Sequence, residues 1–160
     1  MSSGLEKQAS ATYTIIMNKK EILEMINANP AFHLATVEGD QPHCRGMLLF
    51  RADENGIIFH TGTMKDVYRQ ITANPKAELC FNDYKNGVQV RVAGKLESLE
   101  DKTLKDEICA HPTRKFLKPW RESGQLEDFY QTFKVYRLKN GRAVVWTMAT
   151  NFAPKEEVVL

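Results

Sequence analysis

No apolar run in this chain of 160 residues is longer than four residues, so no segment offers the continuous hydrophobic stretch of a membrane-spanning helix. Residues 1–14 also lack the apolar core of a secretory signal, and the expectation is a cytoplasmic protein with no membrane partner. Charge of one sign is missing as well: 22 basic residues face 20 acidic ones, a formal +2, with no long Lys/Arg stripe. That balance argues against a nucleic-acid partner. Cysteine is scarce. Cys44, Cys80 and Cys109 are far apart, form no C-x-x-C pair and belong to no compact Cys/His cluster, so no metal site is expected. His43 and Cys44 are adjacent, but neighbours on a strand point to opposite faces. Cys44 and Cys80 fall in apolar strand patterns, where a reduced cysteine packs as a small core residue. There is no G-x-S-x-G, no carboxylate pair that the spacing brings together and no repeat of fixed period. Any chemistry would then come from a bound cofactor.

What is present is enough for one compact domain. Hydrophobic residues make up 42% of the chain, sufficient for a core of its own. Residues 1–16, rich in Ser, Ala and Thr, read as a flexible extension, 17–150 as the domain and 151–160 as a C-terminal tail. Asn18 and Glu21 match a helix cap, and Ile22, Met25 and Ile26 recur at helical spacing until Asn29-Pro30. Strands are expected over 32–37, 43–51 and 57–61, joined by turns at Glu38-Gly39-Asp40 and Asp53-Glu54-Asn55-Gly56. A helix over 64–73 ends at Asn74-Pro75. Strands over 77–81 and 88–97 flank an Asn86-Gly87 turn, and Val88, Val90 and Val92 alternate with Gln89, Arg91 and Ala93. A further helix starts near Asp101 and breaks at His111-Pro112, and another is expected over 125–131. The segments 133–138 and 143–148, around Asn140-Gly141, read as one more hairpin. Many short strands joined by hairpins, with a few peripheral helices, point to a mainly β (α+β) domain built as a small barrel.

The chemistry-bearing stretch is Ile57 onward, where an apolar strand runs through His60-Thr61-Gly62-Thr63-Met64-Lys65 into an amphipathic helix. Backbone N–H groups at a helix start lack intrahelical partners, so an anion is favoured there. Thr61 and Thr63 offer hydroxyls, Gly62 allows close approach and Lys65 brings a full charge. A phosphate would fit, and so would an ordinary strand-to-helix connection with a solvated lysine. Arg45, on the preceding strand, reaches the same anion through the hairpin or stays a surface arginine at a sheet edge. Gln89 and Arg91 contact a ligand's polar edge or are merely solvated. Trp120 and Trp146 line a cleft or pack as core or interface.

Taken in order, Phe32-His33-Leu34-Ala35-Thr36, Pro42-His43-Cys44-Arg45-Gly46-Met47, Phe59-His60-Thr61 with Lys65, Asn74-Pro75 and Gln89-Val90-Arg91-Val92-Ala93-Gly94 resemble the flavin mononucleotide (FMN)-binding split barrels related to pyridoxamine 5′-phosphate oxidase. The similarity runs over residues 22–146. It implies a six-stranded antiparallel split β-barrel with peripheral helices, and a homodimer with flavin sites at the subunit interface. It also implies FMN as cofactor, with Arg45 and Lys65 holding its phosphate and Thr61 and Thr63 assisting. Met47 and Leu48 would lie near the flavin ring, and Gln89 would come from the other subunit. His60 stands where the family often has tyrosine. The oxidase proper carries a lysine where this chain has Phe50 and an arginine where it has His111, and its C-terminal Arg-Leu-Ala-Pro type ending is absent. The chain is more similar to the small relatives that include nitroimidazole-resistance and flavin reductases. That implies an FMN-dependent oxidoreductase with a small-molecule electron donor and a flat acceptor. The alternatives are a non-catalytic flavin-binding or sensing protein, and a haem-handling barrel using His33, His43, His60 or His111.

Overall fold

The computed structural model describes residues 17–124 and 128–160. The extension assigned to 1–16 and the first residues of the helix expected over 125–131 lie outside the described residues. Among the described residues, eight strands form one antiparallel sheet: β1 Ala31–Glu38, β2 Gln41–Asp53, β3 Gly56–Gly62, β4 Lys76–Asp83, β5 Val88–Leu99, β6 Phe133–Leu138, β7 Arg142–Thr147 and β8 Glu157–Val159. The order β4-β1-β2-β3-β6-β5 closes through a β4–β5 pairing, giving the six-stranded barrel that the resemblance implied. Helix α1 spans Lys19–Ala28, α2 Asp66–Ala73, α3 Lys102–Ala110, α4 Lys118–Glu122 and α5 Phe129–Thr132, with a 3-10 segment at Pro112–Leu117.

Local chemistry sets the element ends. Asn18 and Glu21 form the expected capping box on α1, with Glu21 N–H donating to Asn18 Oδ1 at 2.9 Å and Asn18 N–H to Glu21 Oε2 at 2.8 Å. Asp101 caps α3 by accepting from Leu104 N–H at 3.1 Å. Asp128 caps α5 in the same way, accepting from Tyr130 N–H at 3.0 Å. The β4–β5 hairpin turns at Gly87, whose φ of 65° lies in the region glycine enters without strain.

The barrel interior is filled by alternate residues of its strands. Phe32 stacks on Phe81 at 4.8 Å and meets Phe59 edge-on at 5.5 Å, surrounded by buried Leu34, Leu79, Val90 and Val92. Each such side chain contributes roughly 1.5–3 kcal/mol by leaving water. Ile22 and Ile26 of α1 and Val67 and Ile71 of α2 pack onto this core. A second cluster, with Ile58, Leu104, Ile108, Leu117, Phe129, Phe133 and Val135, holds α3, α5 and the 3-10 segment against strands β3 and β6.

Three expectations need correction. The Asn140-Gly141 turn does not make a hairpin, because β6 and β7 do not pair with each other: β6 pairs residues 96–99 of β5 and β7 pairs residues 88–93 of the same strand. The two are successive lengths of one bent strand running along β5. Gly141 is required at the bend, since a Cβ there would stand 2.2 Å from Leu138 Cδ2 and 2.5 Å from Val92 Cγ1. Secondly, Cys44 is exposed and Cys80 only half-buried. Phe32, Leu34 and Thr36 take the inner positions opposite Met47, Arg45 and His43, so Cys44, one step out of phase, faces outward. Thirdly, Arg45 pairs with Leu34 of β1, not with β3, so it does not reach the β3–α2 connection through the hairpin. The segment set apart as a tail, 151–160, returns to the sheet as β8, and Leu160 N–H donates to Gly141 O at 2.9 Å.

Candidate functional site

Strand β3 ends at Gly62, and the chain turns into α2 with Lys65 as its N-cap. Lys65 N–H donates to Gly62 O at 3.0 Å, but no side chain caps the helix, leaving its first N–H groups open to another acceptor. A cavity of about 510 Å³ lies beside this turn. Gly46, Met47 and Leu48 of β2 and His60, Thr61 and Gly62 of β3 form one side, Lys65 contributes a cation, and Phe116, Trp120, Phe129 and Phe133 supply aromatic walls. A Cβ at Gly62 would stand 2.5 Å from Met64 Sδ, so glycine makes room for the thioether that also lines the cavity.

The expected site residues divide into those the fold brings together and those it does not. Met47, Leu48, His60, Thr61 and Lys65 share the cavity. Thr63 lies beside it, its N–H bonded to Thr132 O at 3.0 Å. Arg45 reaches α2 from beneath, across β1. Its Nη1 donates to Thr36 Oγ1 at 2.8 Å and to Leu34 O at 3.1 Å, and its Nη2 to Gln70 Oε1 at 2.5 Å. Partial burial lowers its pKa, opposed by the charges of Cys44 and of Asp66 in the first turn of α2. Gln89 is elsewhere, on the outer face of β5. Its amide donates to Asn82 Oδ1 at 2.9 Å, and with Arg91 and Trp146 it lines a separate groove of about 380 Å³.

Sequence reasoning missed Arg114, which is only 2% exposed. It sits in the 3-10 segment, with Nη2 donating to Leu49 O at 2.6 Å, Nη1 to Thr113 Oγ1 at 2.9 Å and Nε to His60 Nε2 at 2.9 Å. Its guanidinium also faces the Phe50 ring at 5.8 Å. Phe50 is the extra residue of a bulge in β2, where the pairing shifts between Leu49 and Arg51. Burial, then the neighbouring Arg114 charge, holds His60 down at about 4. An arginine just before Phe116-Leu117 was the available signal, but its partner lies 54 residues away.

The other histidines have different settings. His111 Nδ1 is bonded to Thr113 Oγ1 at 2.7 Å at the start of the 3-10 segment, His43 Nε2 lies 3.4 Å from Glu38, and His33 is exposed on the outer face of β1. Among the described residues no group of His, Cys, Asp and Glu is placed to hold a metal, and no helix is long and apolar enough to cross a membrane.

The residues present fit a ligand with an anionic end and a flat apolar body. Lys65, the uncapped start of α2 and the Thr61 hydroxyl suit a phosphate, and the aromatic walls suit a conjugated ring. FMN has both parts.

Comparison with known proteins gives this geometry a family. Over 96 residues the chain is 35% identical to the pyridoxine/pyridoxamine 5′-phosphate oxidase of Pseudomonas putida (strain W619), a stretch covering 59% of this chain and 44% of that one. The chain thus matches less than half the length of that curated relative. Among solved structures, a NimC/NimA family protein from Clostridium acetobutylicum superposes with a TM-score of 0.69 at 24% identity, covering 88% of this chain and 92% of the other. A pyridoxamine 5′-phosphate oxidase-related, FMN-binding protein from Nostoc punctiforme superposes with a TM-score of 0.56 at 19% identity, covering 87% and 88%. These likenesses establish the shared fold, and the family model described as pyridoxamine 5′-phosphate oxidase matches residues 18–147. By that match and by its closed split barrel, the chain belongs to the pyridoxamine 5′-phosphate oxidase family.

Proposed function

We propose that this chain is an FMN-dependent oxidoreductase that passes electrons from a reduced donor to a small flat acceptor, nitroaromatic or quinone-like, and not a true pyridoxamine phosphate oxidase. The observation that carries the reading is the cavity itself, which joins a phosphate-suited turn at Lys65 to aromatic walls from Phe116, Trp120, Phe129 and Phe133. Lys65 and Arg45 would hold the phosphate, with Thr61 and Thr63 assisting, while Met47 and Leu48 support the ring. Bound FMN would supply the redox chemistry that no side chain here provides. The protein's part is to anchor, orient and keep water from the ring. Fold relatives described as FMN-binding and as NimC/NimA family members agree with this reading.

The substrate side departs from the oxidase. Phe50 and His111, which stand where the oxidase has a lysine and an arginine, meet edge-on at 5.5 Å, and neither lines the cavity. A second phosphate therefore has no cation at those two positions. The site is completed, in this reading, by a second copy of the chain: Gln89 lies on the outer sheet face, apart from its own cavity.

The test is the visible absorption spectrum of the purified protein, before and after FMN is added, followed by anaerobic reduction with NADH or NADPH and reoxidation by a quinone or nitroaromatic compound. A yellow protein whose flavin is bleached by a donor and restored by an acceptor is the expected result. Bound FMN that no donor reduces would favour a non-catalytic flavin-binding role, and failure to take up FMN would refute the reading.

A further inference from the structure

Among the described residues no carboxylate pairs with the buried Arg114, so its hydrogen bonds must do what a counter-charge would otherwise do. Its Nη2 secures the carbonyl of Leu49 at the β2 bulge and its Nη1 the hydroxyl of Thr113. Its Nε points at His60 Nε2 from 2.9 Å. A guanidinium has hydrogens to give and no lone pair to accept with, so the nitrogen facing it must carry a lone pair. The proton of the neutral ring is therefore on Nδ1. The ring stands at the cavity wall, 5.0 Å from Phe133 and 6.3 Å from Phe116, and among the described residues its Nδ1 has no hydrogen-bond partner.

We propose that Arg114 is a positioning residue that fixes His60 in its Nδ1–H form at the cavity wall, and that His60 donates this hydrogen to a carbonyl-type oxygen on the flat ring bound there. The charged groups around it favour the same state. Arg114 approaches from the 3-10 segment and Lys65 from the start of α2, and among the described lining residues there is no carboxylate to stabilise an imidazolium. Burial acts in the same direction. The ring is thus a donor of fixed direction that stays neutral across the physiological range. A tyrosine hydroxyl at the same place could rotate and could also accept. The ligand selected by a donor in an apolar aromatic cavity is an uncharged conjugated ring with an acceptor oxygen, and the oxygen belongs either to the flavin ring or to a second flat molecule. The ligand half of this inference rests on the proposed function, whereas the Arg114–His60 half does not.

The test is a long-range 1H–15N correlation spectrum of the full chain with 15N-labelled histidine, His60 being assigned by its loss in His60→Gln. The expected wild-type pattern is Nδ1–H, unchanged from about pH 8 to about pH 5.5. A mixture of forms, or Nε2–H, would overturn the role of Arg114. In Arg114→Met the preference should weaken and the ring should begin to protonate at a higher pH than in the wild type, burial alone still holding it below the ordinary value. Arg114→Lys, which keeps a donor, should restore part of the preference, and serves in its place if the methionine variant does not fold. An unchanged His60 pattern in the folded variant would overturn the proposal. FMN and then 1,4-naphthoquinone are added in turn, with FMN uptake read separately by absorption. A shift of the Nδ1–H resonance on adding FMN assigns the oxygen to the flavin, and a shift only with the quinone assigns it to the second ligand. Movement with neither would overturn the donor role, whereas absent FMN uptake with a fixed Nδ1–H would refute the flavin reading alone.

Discussion

Acidification should weaken this fold through His60, beginning at a higher pH than the loss carried by Glu100. A histidine ordinarily titrates near 6.5, but in the folded chain burial and the Arg114 charge hold His60 at about 4. Between those two values the unfolded chain binds a proton that the folded chain refuses, so stability is full above about pH 6.5 and falls as pH drops toward 4. At about 1.4 kcal/mol per pH unit, the loss comes to roughly 3 kcal/mol, a large fraction of the 5–15 kcal/mol typical of a domain. Glu100 acts in a lower window. Lys105 and Lys134 hold its carboxyl at about 2, so its contribution is lost only as pH falls from 4.5 toward 2. The assay is urea unfolding of the wild type and His60→Gln at a series of pH values. Glutamine can still accept the Arg114 Nε–H but does not titrate, and the Glu100 contribution is common to both proteins. With a urea slope of about 2 kcal/mol per molar, the wild-type midpoint should drop by roughly 1.5 M more than that of the variant between pH 6.5 and 4. Parallel pH profiles for the two proteins would refute the assignment of His60 as a buried neutral ring.

Other consequences are as direct. Lys65→Ala should weaken FMN binding roughly tenfold to a hundredfold while leaving riboflavin nearly unaffected, and adding Arg45→Ala should weaken FMN further. Titrations by flavin fluorescence check this, and equal losses for both ligands would mean that these residues do not hold the phosphate. Gly141→Val should destabilise by about 1–3 kcal/mol, because its Cβ would overlap Leu138 and Val92, whereas Gly46→Ala, which meets nothing within 4 Å, should leave the urea midpoint almost unchanged. Sedimentation equilibrium should give twice the chain mass at micromolar concentration, and a monomer under those conditions would contradict the shared site.

Where local pattern and fold agree, the sequence was readable. The cap at Asn18 and Glu21, the alternation through Val88, Val90 and Val92, and the turn ahead of Lys65 each depend on residues a few positions apart. What escaped depends on distant partners. An Asn-Gly pair between two β patterns ordinarily signals a hairpin, but the pairing choice was made by β5, which offers one unbroken edge to both segments. Cys44 was misplaced because apolar neighbours do not reveal which face of β2 turns inward. Arg114 looked like an ordinary charge in a broken helical stretch, and only the approach of the 3-10 segment to β3 makes it the partner of His60. The cavity was legible on its β2 and β3 side and, on its aromatic side, only as the option of Trp120 in a cleft wall, because Phe116, Phe129 and Phe133 come from segments whose approach to β3 no local pattern shows.

The bent strand formed by β6 and β7 also sets an order of events for a chain emerging from the ribosome. The β1–β2, β2–β3 and β4–β5 pairings join segments close in sequence and can form as soon as they are made. Leu138 must find Leu96, roughly forty residues back, and Ile57, roughly eighty back, before the cylinder exists. Until then the nascent protein carries two bare edges, one on β3 with Ile57 and Ile58 and one on β5 with Val88, Val90 and Val92, both open to pairing with a neighbouring chain. Slow arrival of this bent strand, more than any weakness of the finished core, is the point at which the protein is exposed to aggregation.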